Sequence, residues 1–107
     1  MKLRNAVSHR EREIVELRAD RTMAVAYLRE AMSSLDDPED RGAGLLALHT
    51  LAEAYGGLGQ VAAEAGISRE ALYRTLSARG NPTLKTLLAV LKVMGMRLTV
   101  EPEPSAA

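Results

Sequence analysis

The chain has 107 residues, 47% of them apolar, which suits one domain with a single modest core. It has no Cys, Phe or Trp, only three tyrosines, and acidic and basic side chains in equal number, 14 each. That excludes a disulfide framework and a thiolate metal site, favours helix packing over a sheet core, and removes the overall basic excess that marks many nucleic-acid binders.

No stretch reaches the roughly 20 apolar residues that span a bilayer. The N-terminus carries Lys2, Arg4, His9 and Arg10 where a signal peptide would have an apolar core. The expectation is a soluble, cytoplasmic, unprocessed protein with no membrane partner.

Taken in chain order, residues 8–17 alternate charge at helical spacing around a narrow stripe of Ile14 and Leu17, which predicts a solvated helix with one adhesive edge. Asp20 is placed to cap a helix over 21–34, where Ala24, Tyr27, Leu28, Ala31 and Met32 recur at three- and four-residue steps and share an inward face. Asp37 and Pro38 are an N-cap and first-position pair, followed by Glu39 and Asp40 at the positive end of a helix dipole. The predicted helix runs to Tyr55 with Leu45, Leu48, Leu51, Ala52 and Tyr55 inward. Gly42 and Gly44 weaken its first turns, and Gly56 and Gly57 stop it in left-handed conformations.

A short helix follows over 58–65, then a turn at Gly66 and a helix from Arg69 to about Ser77 with Ser68 as its cap. Gly80-Asn81-Pro82-Thr83 breaks the chain and begins a last helix, with Leu84, Leu87, Leu88, Leu91 and Met94 expected inward and Gly95 ending it. Met96, Leu98 and Val100 alternate with Arg97, Thr99 and Glu101 at strand periodicity, bounded by Pro102 and Pro104.

The segment from Gly56 to Ser77 meets the residue requirements of a helix-turn-helix. Val61 is apolar at the packing position and Ala62 small at the crossing. Gly66 supplies a positive-φ turn, Ile67 plugs the gap, Ser68 caps the second helix, and Leu72 and Leu76 form its inner face. That leaves Arg69, Glu70, Tyr73 and Arg74 on the outer face of the first two turns, the part of such a motif that enters the major groove. Arg suits a guanine edge or a phosphate, Glu a cytosine amino group, and the free N–H groups beside Ser68 a phosphate. Tyr73 packed against the last helix, and Glu70 paired with Arg74, are the non-functional readings of those two residues. The charge along the chain is polarised to match: residues 66–92 carry Arg69, Arg74, Arg79, Lys85 and Lys92 against Glu70 alone.

The string from Leu58 to Leu76, followed by Gly80-Asn81-Pro82-Thr83-Leu84-Lys85-Thr86-Leu87, resembles the probable addiction-module antidote family, antitoxins with a phage-repressor-like helix-turn-helix. Tyr27 to Met32 and the helix after Pro38 share the likeness. The chain departs from its relatives at Gly59, where they tend to have Ser. It departs again at Leu58, where wider phage-repressor relatives often have a phosphate-binding Gln.

The resemblance implies an all-α, single-domain bundle of five to six helices with a lambda-repressor-like helix-turn-helix, and periodicity adds the short C-terminal strand. The divisions expected are a charged helical extension over 1–20, a DNA-binding domain over 21–101 and a flexible tail over 102–107. The resemblance also implies binding to double-stranded operator DNA of the protein's own operon and a partner toxin of the RelE/ParE-like group. A homodimer is expected from the unpaired strand and from the near-symmetric half-sites such motifs read.

The candidate DNA contacts are Gln60, Ser68, Arg69, Glu70, Tyr73 and Arg74, with Asn81, Thr83 and Lys85 as an anchor on the backbone. Neither a cofactor nor a catalytic centre is expected, because His9 and His49 stand apart without metal-ligand spacing and no phosphate-binding loop occurs. Two other readings stay open on sequence alone: a module that neutralises a toxin without touching DNA, and a stand-alone phage-type regulator.

Overall fold

The computed structural model describes residues 2–104, with side chains from residue 9 onward, and these form six α-helices. They are α1 (Lys2–Ala19), α2 (Arg21–Ser34), α3 (Arg41–Ala54), α4 (Gly57–Ala65), α5 (Arg69–Thr75) and α6 (Leu84–Val93). The fold is all-α.

Most of the boundaries rest on local chemistry. The Asp20 carboxylate accepts from the Met23 amide at 3.0 Å and starts α2. The Asp37 carboxylate accepts from the Glu39 amide at 3.0 Å, and its carbonyl accepts from Arg41 N–H at 2.8 Å, so Asp37 caps the turn that leads into α3. Residues 38–40 are a turn and regular helix begins at Arg41. Gly56 and Gly57 take φ of 87° and 86°, ending α3 as expected.

Helix α3 is the centre of the molecule and touches α1, α2, α4 and α6. Being covered on several sides, it buries more than one stripe: Leu45, Leu48, Leu51, Ala52 and Ala54, together with His49 and Thr50. Gly44 has a packing role beyond its low helix propensity, since a methyl there would lie 2.7 Å from the Ala31 carbonyl oxygen. The crossing of α2 and α3 is close enough that only glycine fits.

The second half of α1 docks on α3. Leu17 is fully buried. Arg18 Nε donates to the Ala54 carbonyl at 2.9 Å, satisfying a carbonyl at the end of α3, and the Tyr55 hydroxyl returns a bond to the Leu17 carbonyl at 2.9 Å. On the other side of the bundle, α6 lies against α4, and Lys92 Nζ pairs with Glu64 Oε1 at 2.7 Å. The hydrogen bond that Lys92 donates to the Glu64 carboxylate holds its ammonium above the ordinary pKa.

The buried side of α6 differs from expectation, and the C-terminal strand is not seen among the described residues. The buried side of α6 consists of Thr86, Ala89, Val90, Leu91 and Met94, with Leu87 half-buried, while Leu84 and Leu88 are 60% and 42% exposed. The helix is apolar on two sides, so its periodicity admits more than one orientation, and packing on α4 selects one. No strand occurs among the described residues: residues 96–103 follow α6 without regular structure. A strand requires a partner for its backbone, and the described residues supply no second one.

Tyr27 gives a pH prediction. Burial raises its phenol above the ordinary value of 10.0, and the Glu13 carboxylate, which accepts its hydrogen bond at 3.3 Å, raises it further. The folded state therefore holds this proton more tightly than the unfolded chain. The resulting stabilisation is complete below about pH 10 and is lost as pH rises through the raised folded value. Thermal melts should show wild type losing more stability above that pH than Tyr27→Phe. Equal alkaline losses in the two proteins would contradict it.

Candidate nucleic-acid interface

The connection between α4 and α5 is only three residues long, and each residue has a definable task. Gly66 sits at φ 73°, ψ 30°; its amide donates to the Ala63 carbonyl at 3.2 Å and the Ile67 amide to Ala62 at 3.0 Å. This pair of crossed bonds is a Schellman motif, and it satisfies carbonyls that the end of α4 leaves open. Ile67 is half-buried against the core. Ser68, in extended conformation, accepts from the Ala71 amide at 3.0 Å and starts α5.

Leu72 and Leu76 are fully buried on the inner side of α5, and Val61, Ala62 and Ala65 are buried on the facing side of α4. Helix α5 ends at Thr75, two residues before Ser77. Thr75 Oγ1 donates to the Leu72 carbonyl at 3.0 Å and Ser77 Oγ to the Arg74 carbonyl at 2.7 Å, so hydroxyls take acceptors at the helix end.

With the inner face fixed, Arg69, Glu70, Tyr73 and Arg74 all stand in solvent and, with Leu58, line one shallow groove. Among the described residues neither Arg69 nor Arg74 has an ion-pair partner within 4.0 Å, and Glu70 does not pair with Arg74. Two guanidinium groups are thus available to an external anion. The Arg69 stem passes Gly59, where a methyl would lie 3.8 Å from its Cδ. A Cβ at 59 would therefore be in ordinary van der Waals contact with the Arg69 stem.

The remaining candidates surround this groove without lining it. A methyl on Gly66 would be 3.2 Å from Lys85 Nζ, so the Lys85 ammonium lies over the α4–α5 turn. Thr83 Oγ1 accepts from the Thr86 amide at 3.2 Å and caps α6, with Asn81 exposed two residues earlier. Gln60 is exposed on the first turn of α4, its side chain bent over Gly56.

Tyr73 has a neighbour that the sequence reading did not identify. It is 60% exposed, but its ring meets the His49 imidazole edge-on, with centroids 5.1 Å apart and planes at 81°. The contact is with α3 and not with the last helix. His49 Nε2 lies 2.8 Å from Glu53 Oε1, and Arg10 bonds the same oxygen at 2.7 Å. With Leu46 and Ser77 these residues enclose a cleft of about 400 Å³ between α1, α3 and α5. The i,i+4 spacing of His49 and Glu53 was readable in the sequence; the arrival of Arg10 and Tyr73 was not.

The family described as "Probable addiction module antidote protein" matches residues 9–102 of the chain. An uncharacterized protein of Haemophilus influenzae is 46% identical over 44 residues, or 41% of this chain, which spans 45% of the length of that relative. No solved structure matches.

Proposed function

Because this chain belongs to the probable addiction module antidote protein family, we propose that it is the antitoxin of a toxin–antitoxin module and represses transcription by binding operator DNA as a homodimer. In this reading α4, the turn 66–68 and α5 are a helix-turn-helix, with α5 as the helix that enters the major groove.

The observation that carries the proposal is the outer face of α5. A seven-residue helix held down by Leu72 and Leu76 presents Arg69 and Arg74 without a counter-ion among the described residues. Two uncompensated cations on a short, rigidly seated helix are suited to a polyanion with hydrogen-bonding base edges. Arg69 and Arg74 take guanine edges or phosphates, and Glu70 accepts from a cytosine amino group. Tyr73, steadied by His49, offers its ring and hydroxyl beside them. Lys85, Thr83 and Asn81, with Ser68 and Gln60 at the two helix starts, contact phosphates and set the register.

Zero net charge is compatible with this, because the interaction depends on local charge within a Debye length of about 8 Å and the basic residues are concentrated in 66–92. The toxin, expected to be of the RelE/ParE-like group, would occupy a surface away from α5, with α1 the candidate.

The test is fluorescence anisotropy with duplex DNA from upstream of the gene, titrated over salt, beside a scrambled duplex. The expected result is preference for the upstream sequence and an affinity that falls log-linearly with salt, with a slope of about −0.9 per phosphate neutralised. Equal binding to both duplexes with no salt dependence would remove the DNA-binding role.

A further inference from the structure

We infer that residues 97–101 form a two-stranded antiparallel ribbon with the same segment of a second copy, centred on Thr99. The inference deepens the homodimer of the preceding section and rests on it.

The chain leaves α6 through a second Schellman motif. Gly95 sits at φ 73°, its amide bonds the Lys92 carbonyl at 2.9 Å, and the Met96 amide bonds the Leu91 carbonyl at 2.7 Å. After Met96 the pairing stops. Among the described residues no amide from Arg97 to Glu101 bonds to backbone or side chain, and all five residues are exposed. Val100 is 92% exposed and Leu98 49%. An apolar and polar alternation with unsatisfied backbone beside it is a strand edge in search of a partner.

The sequence specifies which partner. Arg97 and Glu101 are equidistant from Thr99. Antiparallel pairing about Thr99 sets Arg97 directly across from Glu101 of the second copy, twice, and Leu98 across from Val100, twice. Opposed charges across a ladder stabilise it and like charges destabilise it. An in-register parallel ribbon would set Arg97 on Arg97 and Glu101 on Glu101, so the segment is complementary to itself only in the twofold arrangement that closes a dimer.

The alternation also puts Met96, Leu98 and Val100 on one face. Met96 is half-buried against the core, so the apolar face of the ribbon continues from the domain and is not isolated in solvent. Pro102, which has no N–H, ends the ladder.

Charge exchange in the full chain tests this directly. Sedimentation velocity over a dilution series should show that Arg97→Glu and Glu101→Arg each raise the dimer dissociation constant on the order of tenfold, since each change opposes two pairs of like charges. The double exchange R97E/E101R should return it to within about threefold of wild type. Circular dichroism of all three should be unchanged, because both side chains are exposed.

The chain has no cysteine, so Thr99→Cys reports without background. Mild oxidation should link it into covalent dimers and leave Leu88→Cys, on the exposed side of α6, unlinked. A wild-type monomer at high micromolar concentration would overturn both ribbon and homodimer and leave the DNA test standing. A dimer indifferent to the charge exchanges, or linked at residue 88 and not at 99, would overturn the ribbon alone.

Discussion

Leu72→Ala is expected to lower the unfolding free energy by about 3 kcal/mol, within the range of roughly 2 to 5 for truncating a buried leucine. Leu72 is fully buried at the middle of α5 and belongs to the same core cluster as Val61, Ala65 and Leu76. Helix α5 has seven residues, too few to persist without tertiary support. Its attachment rests on Leu72 and Leu76, with Ile67 at the turn, so the cavity left by truncation lies directly under the charged face. Urea denaturation should show a lower midpoint with the slope preserved. Against a total of about 5 to 15 kcal/mol for a domain, the loss is a large share. Operator affinity should fall with it, measured at a temperature where the variant is still folded, because Arg69 and Arg74 lose their common platform. A loss below about 1 kcal/mol would show that α5 is held by something other than its inner face.

Arg74→Ala should act in the opposite way, leaving stability within about 0.5 kcal/mol of wild type, as expected for an exposed residue without an ion-pair partner among the described residues. Its effect is on binding. If the guanidinium reads a guanine edge, operator affinity falls by about 1 to 3 kcal/mol while affinity for a scrambled duplex changes little. If it neutralises a phosphate, both duplexes are weakened alike and the salt slope loses about one unit. Anisotropy on the two duplexes at several salt concentrations separates these outcomes, and an unchanged binding curve would exclude Arg74 from the interface. Arg69→Ala should behave similarly.

Tyr73 is held differently from the two arginines. Its ring is fixed by His49, and His49 by the Glu53 oxygen that also receives Arg10. The outer face of α5 is therefore joined through side chains to α3 and α1, as well as through its buried leucines. The first route leads to α3, the helix that nearly every other element touches, and the second to α4, which itself packs on α3. The charged groove is consequently mounted on the most buried part of the molecule.

How much was legible in the sequence follows from the range of the forces involved. Asp20, Ser68 and Thr83 cap helices because each carboxylate or hydroxyl reaches an amide three residues on, and the left-handed stops at Gly56, Gly66 and Gly95 need no Cβ; all of these act within one turn of helix. The same local reasoning put Leu72 and Leu76 inside and Arg69, Glu70, Tyr73 and Arg74 outside, since burial of one side of a short helix determines the other.

The features decided by tertiary structure join residues far apart in the chain. Leu84 and Leu88 are exposed because α4 packs against a different side of α6, a choice that helical periodicity does not make. Gly44 is required by a carbonyl on α2, and the His49 cluster by side chains from α1 and α5. Residues 96–100 have the alternation of a strand, yet form none among the described residues, because alternation prepares a face and only a second strand satisfies the backbone. The sequence by itself determined the caps at Asp20, Ser68 and Thr83, the glycine stops and which face of α5 is charged, through hydrogen bonds and burial within a few residues. Only the tertiary structure decided which apolar faces are covered, because that depends on which distant surface arrives to cover them.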